Sequence, residues 1–413
     1  MSGIWHPFTQ HALAPEPPLI ARGEDAWLIT EDGRRILDGI SSWWVTTHGH
    51  NHPRIMAAIR EQTEKLDQVI FAGFTHQPAE DLADGLLEIA PRGLSHVFYS
   101  DSGSTAVEVA LKMALGFWHN SGKPRSKIIA LEHAYHGDTI GTMAAGARGV
   151  FNAPYETLLF EVARLAFPSD PAVTLAALER EAPNAAALIV EPLLQGAGGM
   201  KMYGPDVLRQ MKAICEKHGT LFIADECLTG FGRTGTLFAC EQAGIAPDLL
   251  CLAKGLTGGA LPLAATLATS AIFEAHYSTD RRKTFFHSSS YTANPIACAA
   301  AAANLAVWRE EPVRERVAAL AALQEERLAP FRADPRFGNV RRAGTVAALD
   351  LKVSDPGYLA DIGPRLAAHF LARNVLLRPL GNTIYVLPPY CITPAELDII
   401  YAAIADCPQG AFP

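Results

Sequence analysis

The sequence predicts an α/β fold in which a large domain carries a mostly parallel sheet and a smaller α+β domain stands beside it. From Pro53 onward, segments with the 3.6-residue period of amphipathic helices alternate with short apolar runs, the pattern of repeated βα units. Two of those runs, Leu221-Phe222-Ile223-Ala224 and Leu249-Leu250-Cys251-Leu252-Ala253, are apolar at successive positions, as strands buried on both faces must be. Beyond Trp308 the pattern changes to one charged amphipathic helix and a few smaller strands, so a second unit is expected there.

With 413 residues the chain is long enough for two domains and an ample core. A hydrophobic fraction of 49% and a charged fraction of 19% belong to a folded globular protein and exclude a disordered one. The formal net charge of -8 gives no basic footprint for nucleic acid or an anionic membrane. Seven cysteines are scattered without a CxxC pair, several of them in apolar runs, and read as reduced, buried thiols of a cytoplasmic protein. Residues 1–7 hold neither a basic nor an apolar region, so no secretory signal is expected. The longest apolar stretch, around residues 297–303, is alanine-rich, is broken by Asn304 and is too short to span a bilayer; it reads as a close-packed core helix.

Taken in order, Ala26-Trp27-Leu28-Ile29 followed by Glu31-Asp32-Gly33-Arg34 is a strand entering a hairpin turn. Ser41-Ser42-Trp43-Trp44 then places two tryptophans on what reads as an extended segment, where they point to opposite faces, one to the core and one to a pocket. His48, His50 and His52 alternate as metal ligands on a strand would. No nearby Cys or carboxylate completes a set, and Gly49 and Pro53 signal a turn, so no metal site is expected. Val97-Phe98-Tyr99, Lys127-Ile128-Ile129-Ala130 and Ala187-Leu188-Ile189-Val190 supply further strands, and the sheet domain is expected over residues 51–308. A helix at 312–328, strands at 346–351, 375–378 and 383–387, and a terminal helix from Ala395 make a small domain of residues 309–413, to which residues 1–50 add their strands.

The two buried runs end on chemistry. The first stops at Asp225-Glu226, and the second at Lys254 followed by Gly255-Leu256-Thr257-Gly258-Gly259. Open α/β sheets bind ligands at the carboxyl ends of their strands. A lysine able to form a Schiff base and an acid able to keep a pyridine nitrogen protonated are the pair that pyridoxal phosphate requires. Either residue alone reads more readily as a surface lysine or a helix-capping aspartate. Asp101-Ser102-Gly103-Ser104-Thr105 opens a helix with small residues whose free N–H groups suit an anion, although plain N-capping also accounts for them. Tyr135-His136-Gly137 follows a strand, where an aromatic ring can stack on a planar cofactor or fill the core. Gly230-Phe231-Gly232-Arg233-Thr234-Gly235 has the letters of a dinucleotide fingerprint, but residues 225–229 separate it from its strand, so nucleotide binding is not expected. Arg378, at the end of a small-domain strand, can clamp a carboxylate or make an ordinary ion pair.

Together these motifs resemble the class-III aminotransferases of fold type I, over nearly the whole chain and in the family's order and spacing. The resemblance implies an enzyme dependent on pyridoxal 5'-phosphate (PLP), with a mostly parallel seven-stranded sheet in the large domain and a small α+β domain built from both termini. It implies that Lys254 bonds the cofactor and later moves a proton, that Asp225 pairs with the ring nitrogen, and that Gly103 and Ser104 hold the phosphate. Tyr135 would stack on the ring and join Lys254 and Asp225 in catalysis, with His136 beside it. Ser290 matches the position from which a partner subunit's hydroxyl reaches the phosphate, which implies a homodimer.

A second set of residues is similar to one branch of the family: Ile4-Trp5-His6-Pro7-Phe8-Thr9, the paired tryptophans, His50-Asn51-His52-Pro53, Gln195-Gly196-Ala197-Gly198-Gly199-Met200, and Arg378-Pro379 with Pro388-Pro389-Tyr390. That branch aminates 8-amino-7-oxononanoate to 7,8-diaminononanoate for biotin, with S-adenosyl-L-methionine as amino donor. On this resemblance Phe8, Trp43, Trp44, Tyr135, Lys254 and Ser288 shape the substrate pocket and Arg378 binds the acceptor's carboxylate. Phe8 stands where the branch has a tyrosine, and Ser288-Ser289-Ser290 where it has Gly-Pro-Thr, so lysine remains an alternative donor. A broader ω-amino acid or polyamine aminotransferase, an aminomutase and a non-catalytic cofactor-binding protein are the other readings.

Overall fold

Seven strands form the central sheet: β1 (Leu94–Ser100), β2 (Lys127–Leu131), β3 (Ala163–Leu165), β4 (Ala185–Val190), β5 (Leu221–Asp225), β6 (Leu249–Leu252) and β7 (Ala264–Thr269). They lie in the order β1-β7-β6-β5-β4-β2-β3 in this computed structural model, which describes residues 3–407. Residues 1–2 and 408–413, the outer ends of the two expected small-domain segments, lie outside the described residues. All neighbouring pairs from β6 to β3 are parallel, and β7 alone runs against both of its neighbours. β6 and β7 are joined through a single 3-10 turn with no crossover helix, and so short a connection can return the chain only antiparallel.

Both faces of the sheet are covered, which is why its strands are apolar at every position. Ile128, Ala130, Ala187, Ile189, Ile223 and Cys251 pack on one face with Val107, Ala110 and Leu111 of the helix Gly103–Asn120. Ile129, Leu188, Phe222, Ala224, Leu250 and Leu252 belong to the larger cluster on the other face, with Leu208 and Met211 of the helix Pro205–His218. Burying each large aliphatic or aromatic side chain of this kind contributes about 1.5–3 kcal/mol, which fixes the strand register and with it the positions of the residues just past the strand ends.

The chain ends are tied together. Trp27–Thr30 pairs antiparallel with Arg35–Asp38, as the hairpin signal predicted, and Arg35–Asp38 pairs in parallel with Val375–Leu376 near the other end of the sequence. Phe337–Ala343, Val346–Leu351 and Thr383–Val386 form a separate antiparallel sheet packed on the helix Val313–Leu328, and the helix Pro394–Ala405 packs on that helix and on Val375–Leu376.

Two strands of the central sheet escaped the sequence, as did Phe337–Ala343 of the small sheet. β3 has three residues at the sheet edge, and β7 is Ala-Ala-Thr-Leu-Ala-Thr, a run with little bulk to announce a strand. The tryptophan segment needs a correction. Ser41–Trp44 is not extended but an irregular helical turn, with Ser42 at φ 57° and Trp44 at φ 68°. The two rings still part company: Trp44 is 5% exposed and Trp43 is 40% exposed.

Candidate active site

A cavity of about 620 Å³ opens above the carboxyl ends of β4, β5 and β6. Asp225 closes β5 and lies in register beside Cys251 of β6, so Lys254, three residues on, enters the cavity from the neighbouring strand. The lysine starts the 3-10 turn Lys254–Thr257 with φ 47°, a left-handed conformation disfavoured for a residue with a Cβ. Its Nζ sits 5.7 Å from the centre of the Trp44 ring. The glycines after it permit close contact, since a Cβ on Gly259 would stand 2.6 Å from the Val45 backbone.

Asp225 is buried and accepts two hydrogen bonds, at 2.7 Å from His136 Nδ1 and at 3.2 Å from the Cys227 amide. Burial is the largest influence on its pKa and pushes it up. The His136 hydrogen bond and charge, the Cys227 contact and the Lys254 charge together outweigh it, and the carboxyl is held below its usual range. Burial likewise opposes a charge on His136, but the Asp225 carboxylate raises its pKa. The other ring nitrogen of His136, Nε2, is buried with no hydrogen-bond partner in the protein.

On the opposite wall, Ser102 caps the helix Gly103–Asn120 in a reciprocal box with Thr105. That box occupies the Ser102 and Thr105 amides and leaves those of Gly103 and Ser104 at the positive end of the helix, facing the cavity. Ser104 Oγ accepts the Asp138 amide at 3.2 Å, and the Tyr135 hydroxyl donates to Asp138 Oδ2 at 2.9 Å. Burial, then the Asp138 charge, raises the Tyr135 pKa, so the phenol stays protonated. Gly137, at φ 130°, is needed here because a Cβ would fall 2.0 Å from Ser104 Oγ.

The mouth is aromatic. Phe8 meets Trp43 edge-on at 5.6 Å and Phe151 at 5.9 Å, and Phe151 meets Tyr358 at 4.6 Å. The Arg378 guanidinium lies 4.9 Å from the Trp43 ring centre, in the same cavity as Lys254. Among the described residues no hydrogen bond or ion pair engages Arg378, so its charge is available to an anion.

A model of the class-III aminotransferases matches residues 10–407. The chain belongs to that family. An adenosylmethionine-8-amino-7-oxononanoate aminotransferase of Synechococcus elongatus is 50% identical over 98% of this chain and 97% of its own. A crystal structure of the enzyme of that name from Methanocaldococcus jannaschii superposes with a TM-score of 0.94 at 34% identity, covering 98% of each chain. An amine transaminase from an uncultivated Pseudomonas species, solved with PLP bound, gives 0.92 at 35% identity, again over 98% of each chain.

Enzymes of this family depend on PLP, and this cavity fits it. The unpartnered Nε2 of His136, the ionised Asp225, the free amides of Gly103 and Ser104 and the Lys254 amine surround one space lined by Tyr135. Phe8, Trp43, Trp44 and Arg378 line the same space. Ser288 and Ser290 do not: both are exposed, and Ser290 engages Gln68 through its carbonyl, 2.8 Å from Gln68 Nε2.

Other motifs turn out to be architectural. Arg233, from the glycine-rich Gly230–Gly235 segment, is 1% exposed, donates to the Pro388 and Thr46 carbonyls and lies over the Tyr390 ring. Glu226 is buried and receives the Ala239 and Cys240 amides, capping a short helix. The alternating histidines go separate ways, His48 to Asn304, His50 to Asp38 and His52 to Glu311.

Sequence reasoning missed Glu191, Phe151, Tyr358 and Tyr385, which also line the cavity. Glu191 was findable, because it ends the apolar run of β4 as Asp225 ends β5, and Ala224 pairs with Val190 just before them. It accepts the Tyr135 and Gly196 amides at 3.0 and 2.9 Å, and burial pushes its pKa up to about 7. The three aromatic residues come from loops and the small antiparallel sheet, with no local signal of where they meet.

Proposed function

We propose that this PLP-dependent aminotransferase moves an amino group from S-adenosyl-L-methionine to 8-amino-7-oxononanoate, making 7,8-diaminononanoate for biotin. The unpaired Arg378 carries the reading for the acceptor. A cation at an apolar, aromatic mouth, in one cavity with a lysine, suits a long acceptor with a carboxylate at one end and its reacting carbonyl far from it. The name and the 50% identity of the Synechococcus relative support the same choice.

When bound, PLP supplies a carbonyl that condenses with amines and a protonated ring that accepts electron density. The residues do the rest. Asp225, kept anionic by His136 and the Cys227 amide, would hold a proton on the ring nitrogen. Gly103 and Ser104 would offer amides to the phosphate, and Tyr135 would stack on the ring. Lys254 Nζ would bond the cofactor and, as a free amine, would hold and move the proton. Trp43 and Phe8 exclude water from the mouth and Arg378 sets the distance from carboxylate to carbonyl.

We further read the enzyme as a cytoplasmic homodimer in which Ser288 and Ser290, exposed and away from their own cavity, face a partner's. No helix among the described residues is long and apolar enough to cross a membrane. A small domain of residues 309–413 joined by residues 1–50, around a large domain of residues 51–308, is consistent with the pairing of Arg35–Asp38 with Val375–Leu376.

The deciding experiment follows the visible spectrum of the purified holoenzyme on separate addition of S-adenosyl-L-methionine, lysine and other ω-amines. Loss of the cofactor's lysine-linked band with S-adenosyl-L-methionine alone is the expected result. Loss with lysine alone moves the donor, as the missing hydroxyl at Phe8 allows, and loss only with other amines rejects the biotin assignment. Arg378→Ala is expected to raise KM for 8-amino-7-oxononanoate about ten- to a hundredfold, the worth of a charge-assisted hydrogen bond of roughly 1.5–3 kcal/mol. Steady-state kinetics with the acceptor varied will show it, and an unchanged KM removes Arg378 from the site.

A further inference from the structure

The alanine-rich helix Pro295–Glu310 carries an amide side chain in its middle, Asn304, with no exposed surface at all. Its Nδ2 donates to the carbonyls of Gly255 and Leu256 at 2.9 and 3.0 Å. Its Oδ1 lies 2.7 Å from His48 Nε2. With both amide protons on carbonyls, Oδ1 is the acceptor, so His48 carries its proton on Nε2. The other nitrogen of His48 is buried without a partner, which suits a neutral ring. Burial pushes the His48 pKa down to about 4, against the pull of the Asn304 bond and of Glu311, and with the help of His52 and Arg233. The pair therefore keeps one protonation state through the neutral range.

The two carbonyls held by Asn304 are the two that follow Lys254. We propose that Asn304, oriented by His48, is a positioning residue that locks the left-handed backbone of Lys254 and so aims its amine into the cavity. This rests on the reading of Lys254 as the cofactor's lysine. A left-handed φ of 47° on a lysine persists only where neighbours over-determine it, and the neighbours are all here. Thr47 donates its amide to the Gly258 carbonyl at 3.3 Å, closing the turn from the other side. A Cβ on Gly255 would stand 2.8 Å from Phe231, and one on Gly258 would stand 2.6 Å from Ile55 and 3.3 Å from Asn304 Oδ1. Buried Ala297, Ala300 and Ala301 belong to the same helix, which small side chains let approach closely. An apolar side chain at position 304 would leave the Leu256 carbonyl without a donor and the Gly255 carbonyl with the Gly258 amide alone.

The test uses the holoenzymes of Asn304→Ala and Asn304→Ser. In each, kcat is expected to fall about ten- to a hundredfold, the effect of a reacting group misplaced by about an ångström, while KM for the acceptor stays put. The pH midpoint of the lysine-linked visible band is expected to shift in both. A purely structural role would lower the melting temperature and leave kcat and the midpoint at their wild-type values, and that result overturns the proposal. Should Asn304→Ala not fold, Asn304→Ser decides by the same readouts. A wild-type protein with no such band refutes the cofactor assignment itself, an outcome distinct from an unchanged midpoint in the variants.

Discussion

Lys254→Ala is expected to reduce steady-state transamination by about a thousandfold or more, because it removes both the amine that bonds the cofactor and the base that moves the proton. The fold should survive. Among the described residues no hydrogen bond or ion pair ends on the Lys254 amine, which lies 5.7 Å from the centre of the Trp44 ring. Losing it strands no hydrogen-bond partner, and Asp225 keeps His136 and the Cys227 amide when the Lys254 charge goes, so stability should change by about 1 kcal/mol or less. The strained backbone is also no worse for alanine than for lysine, since both carry one Cβ. Thermal melting and single-turnover absorbance separate the two effects: a normal melting temperature, retained cofactor without the lysine-linked band, and lost turnover. Turnover near the wild-type rate would show that some other group moves the proton.

How far this site could be read from the sequence depended on where each residue sits on the sheet. Asp225 and Lys254 were legible because buried parallel strands must be apolar throughout, so the first polar residue after each run marks the sheet rim. By the same rule Glu191 was there to be read after β4. The tryptophans were legible as a pair with two fates, although the irregular turn that separates them is set by tertiary contacts. Arg233, buried, ties the carbonyl of Thr46 to that of Pro388, and no periodicity in residues 41–47 encodes that. The mouth was the least visible part. Phe8, Phe151 and Tyr358 are far apart in sequence, and their contacts exist only once the small antiparallel sheet and the first loop are placed. Ser288 and Ser290 are exposed and outside this chain's cavity, and nothing in residues 286–291 announces that.

Asp225→Asn should be nearly as damaging as the loss of Lys254, for a different reason. The carboxylate acts by charge. At about 4 Å, two unit charges attract by roughly 4 kcal/mol at an effective dielectric constant of 20, and at 1.36 kcal/mol per decade that corresponds to about a thousandfold in rate. Asparagine keeps the shape and can still accept the Cys227 amide, but it loses the charge that keeps a proton on the ring nitrogen and on His136. Two shifts should therefore accompany the lost rate. The His136 pKa should fall, because burial then acts on it without the opposing carboxylate, and the ring nitrogen of the bound cofactor should lose its proton at neutral pH. Nitrogen-15 spectra of labelled histidine and of labelled cofactor read each directly. If the ring nitrogen stays protonated in Asp225→Asn while the rate falls, Asp225 serves only to orient His136. If the rate also stays, the cofactor's ring is held protonated by another group, and Glu191, one strand away with its pKa near neutrality, is the nearest to test.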